Sequence, residues 1–278
     1  MTIDGIDKEK CTNCGLCVKD CPARLFTHRE EVHYADPYRA CLRCGHCIAV
    51  CPEEAIQFPM KGAFDDKEYV SNLPEAVMNA VKTPDSLISY EQLHLFLASN
   101  RSIRQFKSDP LPQEIQEKLW ATARYAASGG NMRSWTFVKL DDTEQIRALS
   151  KGCTDVMISL QGRYGAFIKS VTDKNPDVDM IFRKAPLVMV ISSPTKNDTD
   201  GVNTGVIGLY MQLAAQSLGI GSLWVGWAHA PLNINKDLAR SIQMEGHCWG
   251  VIAFGYPRVR YQRLPPRRHL RIKNPIQQ

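Results

Sequence analysis

Eight of the ten cysteines in this 278-residue chain lie between Cys11 and Cys51, and they form two copies of one pattern. Cys11, Cys14, Cys17, Cys21 and Pro22 recur as Cys41, Cys44, Cys47, Cys51 and Pro52, with Gly15 recurring as Gly45, at a constant offset of 30 residues. Each copy reads Cys-x-x-Cys-x-x-Cys-x-x-x-Cys-Pro. Three thiolates on so tight a loop can reach three irons of one cubane, while the chain carries the fourth cysteine away to the other cluster. The expected ligand sets are therefore Cys11, Cys14, Cys17 and Cys51 for one 4Fe-4S cluster and Cys41, Cys44, Cys47 and Cys21 for the other. A disulfide framework would need an oxidising compartment. The opening residues, MTIDGIDKEK, lack the apolar core of a signal peptide, and a cytoplasmic location is expected. Zinc sites favour paired Cys-x-x-Cys units and leave the third cysteine, the fourth and the proline unexplained. His46 lies inside the second copy, where four thiolates already suffice, and reads as a neighbour of the metal instead of a ligand.

Residues 1–58 resemble the bacterial two-4Fe-4S ferredoxins, with Pro22 and Pro52 at the places of that family's cluster-shielding prolines. The segment carries seven Lys and Arg against nine Asp and Glu, so a net +7 falls on the rest of a chain whose total is +5. Positive charge thus lies downstream, where a phosphate-bearing ligand would be held. Length suggests one or two domains, and the uneven cysteines favour two. No apolar run approaches the ~18 residues of a membrane span, and neither membrane nor nucleic acid is expected as a partner.

Residues 59–85 are polar, carry several prolines and read as a connector with a short helix around Pro74 to Val81. Regular structure resumes where Ser89 and Gln92 make a capping box ahead of Leu93, Phe96 and Leu97 at helical spacing. A second helix is expected from Pro112, with Ile115, Leu119 and Ala123 on one face, stopping at Gly129-Gly130. Trp135 to Leu140 alternate as a strand. Leu187 to Ile191 form a continuous apolar run between Pro186 and Pro194, the mark of a strand buried on both faces. A long helix over Val202–Leu218 is closed by Gly219. Strands follow at Ser222–Val225 and Cys248–Phe254, with a helix from Pro231 to Met244 between them. Helices alternating loosely with a few strands give an α+β fold.

The chemistry of this second part rests on scattered polar groups in a fixed order. Asn100-Arg101-Ser102-Ile103-Arg104 places two guanidiniums three residues apart with a hydroxyl between them, which suits a phosphate or a flavin pyrimidine edge. Ala127-Ser128-Gly129-Gly130-Asn131-Met132-Arg133-Ser134-Trp135 combines glycines for close approach with edge-binding polar groups. Phe182-Arg183-Lys184-Ala185-Pro186, the run from Leu218 to Gly226, Gly255-Tyr256-Pro257 and Pro265-Pro266-Arg267-Arg268 complete the order.

That order resembles the FMN-dependent nitroreductase family over about residues 88–272, and the whole chain resembles the ferredoxin-fused members of that family. The resemblance implies an α-β-α nitroreductase-type FMN domain over residues 86–278. It places Arg101, Ser102 and Arg104 on the FMN phosphate, ribityl and pyrimidine, and Ala127, Ser128 and Asn131 beside the isoalloxazine. Val225 and Gly226 would lie near flavin N5 and O4, and Arg267 and Arg268 would return to the phosphate. It further implies a homodimer whose C-terminal arm, from about residue 258, wraps the partner. Two departures stand out: Asn100 replaces an arginine common in the family, and Arg133-Ser134-Trp135 stands where Gln-Pro-Trp is common. Arg133 would then set a positive charge near flavin N1 and O2, favouring reduced FMN. Cys153 and Cys248 read as small buried hydrophobes.

Gly219-x-Gly221 follows a helix and opens a strand, the reverse of a dinucleotide fingerprint, and no Walker-type Gly-x-x-x-x-Gly-Lys occurs. The expected activity is that of an oxidoreductase: a ferredoxin-like donor reduces two 4Fe-4S clusters, and electrons pass through FMN to a small electron-poor acceptor. Electron delivery to a protein partner, or direct reduction by NAD(P)H, are the alternatives. Trp227, His229 and Tyr164 are candidates for the acceptor pocket, and no acid-base catalyst is identified.

Overall fold

The computed structural model describes residues 3–57, 88–269 and 271–272; the expected connector and its helix around Pro74 to Val81 lie outside the described residues. The chain divides into two compact units, Met1–Lys82 with Ala127–Arg133, and Thr83–Ala126 with Ser134–Gln278.

In the first unit the sequence repeat becomes a backbone repeat. Helix α1 (Leu16–Asp20) and helix α2 (His46–Val50) begin after Gly15 and Gly45, which sit at φ 69° and 74°. Those left-handed values are cheap only without a Cβ. Asn13 and Arg43 share positive φ at matching places, as do Arg24 and Glu54. Strand β1 (Gly5–Ile6) pairs antiparallel with β4 (Ile56–Gln57), and β2 (Phe26–His28) with β3 (Val32–Tyr34). The core they enclose is small: Ile3, Phe26, Val32 and Ile56, with the Cys17 and Cys47 side chains among them.

The second unit is built on a four-stranded antiparallel sheet in the order β5-β6-β8-β7. The strands are β5 (Thr136–Leu140), β6 (Leu187–Ser193), β7 (Gly221–Trp224) and β8 (His247–Gly255). Every residue of β6 is buried. Its alternate side chains explain the unbroken apolar run, since successive residues of a strand point to opposite faces. Leu187, Met189 and Ile191 pack with Leu119 and Ala123 of α4 (Gln113–Ala123) and with Ile207 and Met211 of α7 (Asp198–Ser217). Val188 and Val190 pack with Leu149 and Cys153 of α5 (Thr143–Ser159) and Leu232 of α8 (Gly226–Ile234). Helices therefore cover both faces, and the layers are α-β-α.

Several elements match their signals closely. Helix α3 (Tyr90–Ser99) opens with the expected capping box, Gln92 N donating to Ser89 Oγ at 3.2 Å and Ser89 N to Gln92 Oε1 at 3.0 Å. Gly219, at φ 72°, closes the chain after α7. Others differ. Helix α4 stops at Ala123 instead of Gly129-Gly130, because Tyr125 N and Ala126 N bond three residues back, to Thr122 O and Ala123 O, and tighten the last turn. The helix expected from Pro231 to Met244 is two, α8 and α9 (Lys236–Ser241), with Pro231 inside the first. The break falls at Asn235, whose side chain accepts from Asp237 N and Leu238 N, both at 3.0 Å, and so caps a new helix. Helices α5 and α6 (Arg163–Thr172) were not among the expected elements.

Where α7 begins, Asn197 caps the helix by accepting from Asp200 N at 3.0 Å. The Asp200 carboxylate, only 2% exposed, accepts from Ser134 Oγ at 2.7 Å and from Thr195 Oγ1. These bonds, Thr195 foremost, hold its carboxyl below the usual range against the opposing effect of burial. A carboxylate whose pKa is lower folded than unfolded adds stability above about pH 4, and that stability is lost as pH falls through the folded value. Asp200→Asn is expected to cost about 1–3 kcal/mol at pH 7. Calorimetry should record a melting temperature lowered by several degrees, with the gap to wild type closing below about pH 4. A gap that stays constant between pH 7 and 3 would contradict this account.

Candidate functional site

The eight motif cysteines divide between two hollows in the first unit. One is lined by Cys11, Cys14, Cys17 and Cys51 together with Ile6 and Val32. The other is lined by Cys21, Cys41, Cys44 and Cys47 together with Ile3 and Tyr34. Each hollow thus takes three thiols from one motif and the fourth from the other copy. Backbone amides approach both exchanged sulfurs: Leu25 N donates to Cys21 Sγ at 3.5 Å and Ala55 N to Cys51 Sγ at 3.3 Å. Burial pushes the Cys17 thiol up, and burial pushes Cys47 up to about 11, with neighbouring thiols of the same hollow acting in the same direction. Metal must therefore displace protons to bind there. Among the described residues no three His, Cys, Asp or Glu side chains converge closely enough to hold one ion. Thiols spread around an apolar hollow suit an iron-sulfur cluster better than a single zinc. His46 lines the second hollow, and its Nδ1 lies 3.6 Å from Asp20 Oδ2 at a largely exposed position.

The loop Ala127–Arg133 belongs to this same unit. Gly130, Asn131 and Arg133 all have positive φ, at 57°, 54° and 48°. Asn131 Nδ2 donates to the carbonyls of Leu42 and Arg43, both at 2.9 Å, inside the second cysteine motif. Its Oδ1 accepts from Arg133 Nε at 3.1 Å, and Arg133 N donates to Ser128 Oγ at 3.2 Å. Ser128, Asn131 and Arg133 are therefore brought together, and Ala127 is exposed beside them.

In the second unit the segment Asn100–Lys107 is laced to the ends of two strands. Ile103 N donates to Ser222 O, Lys107 N to Tyr256 O and Arg258 N to Gln105 O, each at 2.8 Å. The lacing sets Arg101 on an open groove of about 480 Å³ whose wall includes Gly219 to Ser222 and, from the C-terminal segment, Arg260 and Arg263. Arg101 Nη1 donates to Ala98 O at 2.9 Å and to Asn100 O. Arg104 Nη1 donates to Ser102 O at 3.3 Å. Arg104 also stands near the half-buried Arg183, whose guanidinium pKa is lowered by burial first and by Arg104 as well, with Asp179 opposing. Arg183 and Lys184 are held at φ 60° and 57° by Asp179, whose carboxylate accepts from Ile181 N, Phe182 N and Lys184 N at 2.9–3.0 Å.

Arg260, Arg263 and Arg183 are cationic positions that had no assigned role in the sequence, although Arg183 sits in the run flagged there. Arg267 and Arg268 are exposed and make no hydrogen bond or ion pair among the described residues. Val225 is buried, its N donating to Val251 O at 2.8 Å, and Gly226 starts α8. Trp227 packs against Tyr164 and Phe167 of α6 with ring centroids 6.1 and 6.3 Å apart. His229 belongs to a different cluster, with His247 at 5.8 Å, and burial lowers its pKa. Cys153 and Cys248 are fully buried, and burial pushes both thiols to about 12, as befits packing groups.

Residues 97–256 match the Nitroreductase family, and residues 10–56 match a 4Fe-4S dicluster domain. The family match covers more than half of the chain, and this protein belongs to the nitroreductase family, with a ferredoxin-type dicluster domain at its N-terminal end. An iodotyrosine deiodinase of Danio rerio is 31% identical over 75 residues, 26% of this chain and 25% of that protein. An iodotyrosine deiodinase of Haliscomenobacter hydrossis is 25% identical over 167 residues, 55% of this chain and 73% of that protein. A nitroreductase with bound FMN from Desulfitobacterium hafniense shares the fold at a TM-score of 0.56 and 17% identity, covering 67% of this chain and 100% of that one.

The Asn131 clamp on the second motif has a measurable consequence. Asn131→Ala removes two hydrogen bonds, each with a net value of about 1 kcal/mol. Limited proteolysis should cut the segment around Leu42 and Arg43 roughly 5–30-fold faster, with the first motif unaffected. Equal rates in the variant and wild type would show that the clamp holds nothing in place.

Proposed function

We propose that this protein is an FMN- and iron-sulfur-dependent oxidoreductase. It takes electrons from a low-potential donor such as a ferredoxin, through two 4Fe-4S clusters and FMN, and delivers them to a small electron-poor acceptor. The observation that carries the reading is the exchange of cysteines between the two hollows in a chain that is otherwise a nitroreductase. The clusters move electrons singly, and bound FMN can take them up singly and release them as a pair.

The chain's own groups divide the remaining tasks. Cys11, Cys14, Cys17 and Cys51 hold one cluster, and Cys41, Cys44, Cys47 and Cys21 the other. Arg101 on the groove, with Arg260 and Arg263, offers the phosphate three cations, and guanidinium forks match phosphate oxygens well. By the family resemblance, Ser102 and Arg104 would face the ribityl and pyrimidine, Val225 and Gly226 would lie near flavin N5 and O4, and Arg267 and Arg268 near the phosphate. The family resemblance supports these assignments. The exposed rings of Tyr164 and Phe167 beside Trp227 offer a flat acceptor an aromatic surface. Nitroaromatics, quinones and enones fit that description, and the deiodinase relatives add an iodinated tyrosine to the compounds worth testing.

A homodimer is part of the proposal. Helix α3 buries none of its residues and exposes Leu93, Leu95 and Leu97, and α7 exposes Val202 and Leu209. Apolar surface on two helices of one unit favours a partner subunit. Among the described residues no helix is long and apolar enough to cross a membrane.

Anaerobically purified protein is expected to contain about eight irons and one FMN per chain, from two cubanes of four irons each. Cys51→Ser should remove about half of the iron and leave FMN in place. Turnover with reduced ferredoxin should fall at least tenfold, while turnover after chemical reduction of the flavin should persist. Zinc in place of iron would contradict the reading. Undiminished ferredoxin-driven turnover would point to electrons entering at the flavin, from NAD(P)H or another donor. FMN reduction with no turnover of any small acceptor would indicate a relay to a protein partner.

A further inference from the structure

The two cysteine hollows are built from one repeated motif, yet their walls differ in one buried polar group. Tyr34, the last residue of β3, lines the hollow of Cys21, Cys41, Cys44 and Cys47. Its ring packs on Phe26 with centroids 5.1 Å apart, which fixes where the hydroxyl points. The hydroxyl oxygen is shielded from solvent and its proton has no acceptor among the described residues; the Ile3 amide beside it can only donate. Its electrostatic neighbours are the Cys41 and Cys47 thiols and Asp36. The Asp36 carboxylate is already engaged, accepting from Ala40 N and Cys41 N at 2.6 and 3.1 Å. Leaving a buried hydroxyl unsatisfied is costly, so an acceptor is to be expected in the hollow.

The repeat supplies an internal comparison. Asp4 stands 30 residues before Tyr34, at the corresponding place in the first copy. It is exposed and does not line the first hollow, whose hydroxyl-bearing wall residue is Thr12 near the rim of the motif. The first hollow therefore has no counterpart of the Tyr34 phenol.

We propose that the Tyr34 hydroxyl donates a hydrogen bond to a sulfur of the cluster held by Cys41, Cys44, Cys47 and Cys21, and thereby raises that cluster's reduction potential above its twin's. The inference rests on residues 10–56 holding two clusters. One-electron reduction adds negative charge to the sulfurs, and a donor aimed at them favours the reduced form; hydrogen bonds to sulfur are among the groups that set such potentials. Electrons would then collect on the second cluster. Tyr34 acts as a tuning residue and takes no part in the chemistry of the acceptor.

The test is an anaerobic redox titration of the loaded protein, followed by electron paramagnetic resonance, in wild type and in Tyr34→Phe. Removing the hydroxyl while keeping the ring should lower one of the two cluster midpoints, by about tenfold in its reduction equilibrium, which is 59 mV for one electron. The other midpoint and the content of about eight irons should stay as they are. Two unchanged midpoints, a rise, or equal shifts in both clusters would overturn the proposal. Should Tyr34→Phe bind less iron, wild-type sequence carrying 3-fluorotyrosine answers the same question, because its more acidic hydroxyl donates more strongly. One midpoint should then rise, and no change would overturn the proposal. Absence of iron from the wild-type protein would instead remove the two-cluster reading on which the proposal rests.

Discussion

The fourth thiol of each hollow comes from the other copy of the motif, and the architecture of the first unit follows from that exchange. Cys21 and Cys51 leave their loops at the ends of α1 and α2, so each short helix points its last residue toward the neighbouring site. Neither hollow can close unless both copies are folded. The core of Ile3, Phe26, Val32 and Ile56 is small for a free-standing unit, and units of this size usually need a staple. Burial favours the protonated thiols of Cys17 and Cys47, so metal binding there releases protons. Metal loading and folding of this segment are therefore coupled.

The second unit solves a different problem, that of holding cations still. Strand β6 is buried on both faces and fixes the sheet, and the segment Asn100–Lys107 is stitched to the ends of β7 and β8 by backbone bonds. Arg101 and Arg104 are consequently fixed at their backbones while their guanidiniums use only carbonyl partners. Arg183 is held in a left-handed turn by a carboxylate that satisfies three amides. Arg101 and Arg104, presented from rigid backbone and bonded only to carbonyls, remain available to an anionic ligand.

Much of this was legible in the residues. The expectation that the fourth thiol crosses to the other site rests on the Cys-x-x-Cys-x-x-Cys-x-x-x-Cys-Pro pattern, in which the chain carries that cysteine away from its own loop. The two hollows are lined in that arrangement. The run Leu187–Ile191 declared a strand covered on both faces, and Ser89 with Gln92 declared a helix start. The stretch from Thr143 to Thr172 was not read, although Asp142 caps it and Ile146, Leu149, Cys153 and Met157 recur at helical spacing; its polar residues diluted the apolar signal. Asn235 breaks the expected Pro231–Met244 helix because its side chain offers two amides a better partner than the helix does. The association of Ala127–Arg133 with the cysteine unit depends on a carboxamide reaching carbonyls 88 and 89 residues away, which no local pattern encodes. Arg260 and Arg263 line the groove, which Arg267 and Arg268 do not, because the chain after β8 runs along the Asn100–Lys107 segment, a tertiary fact.

The central claim is that the cysteine unit delivers electrons to the flavin unit of the same chain. Anaerobic stopped-flow mixing of the loaded protein with reduced ferredoxin tests it most directly, by following cluster and flavin absorbance together. The account predicts that the clusters bleach first and that the flavin then bleaches at a rate independent of ferredoxin concentration once ferredoxin is in excess. Flavin bleaching that precedes the clusters, or that proceeds equally fast when the clusters have been removed, would contradict it.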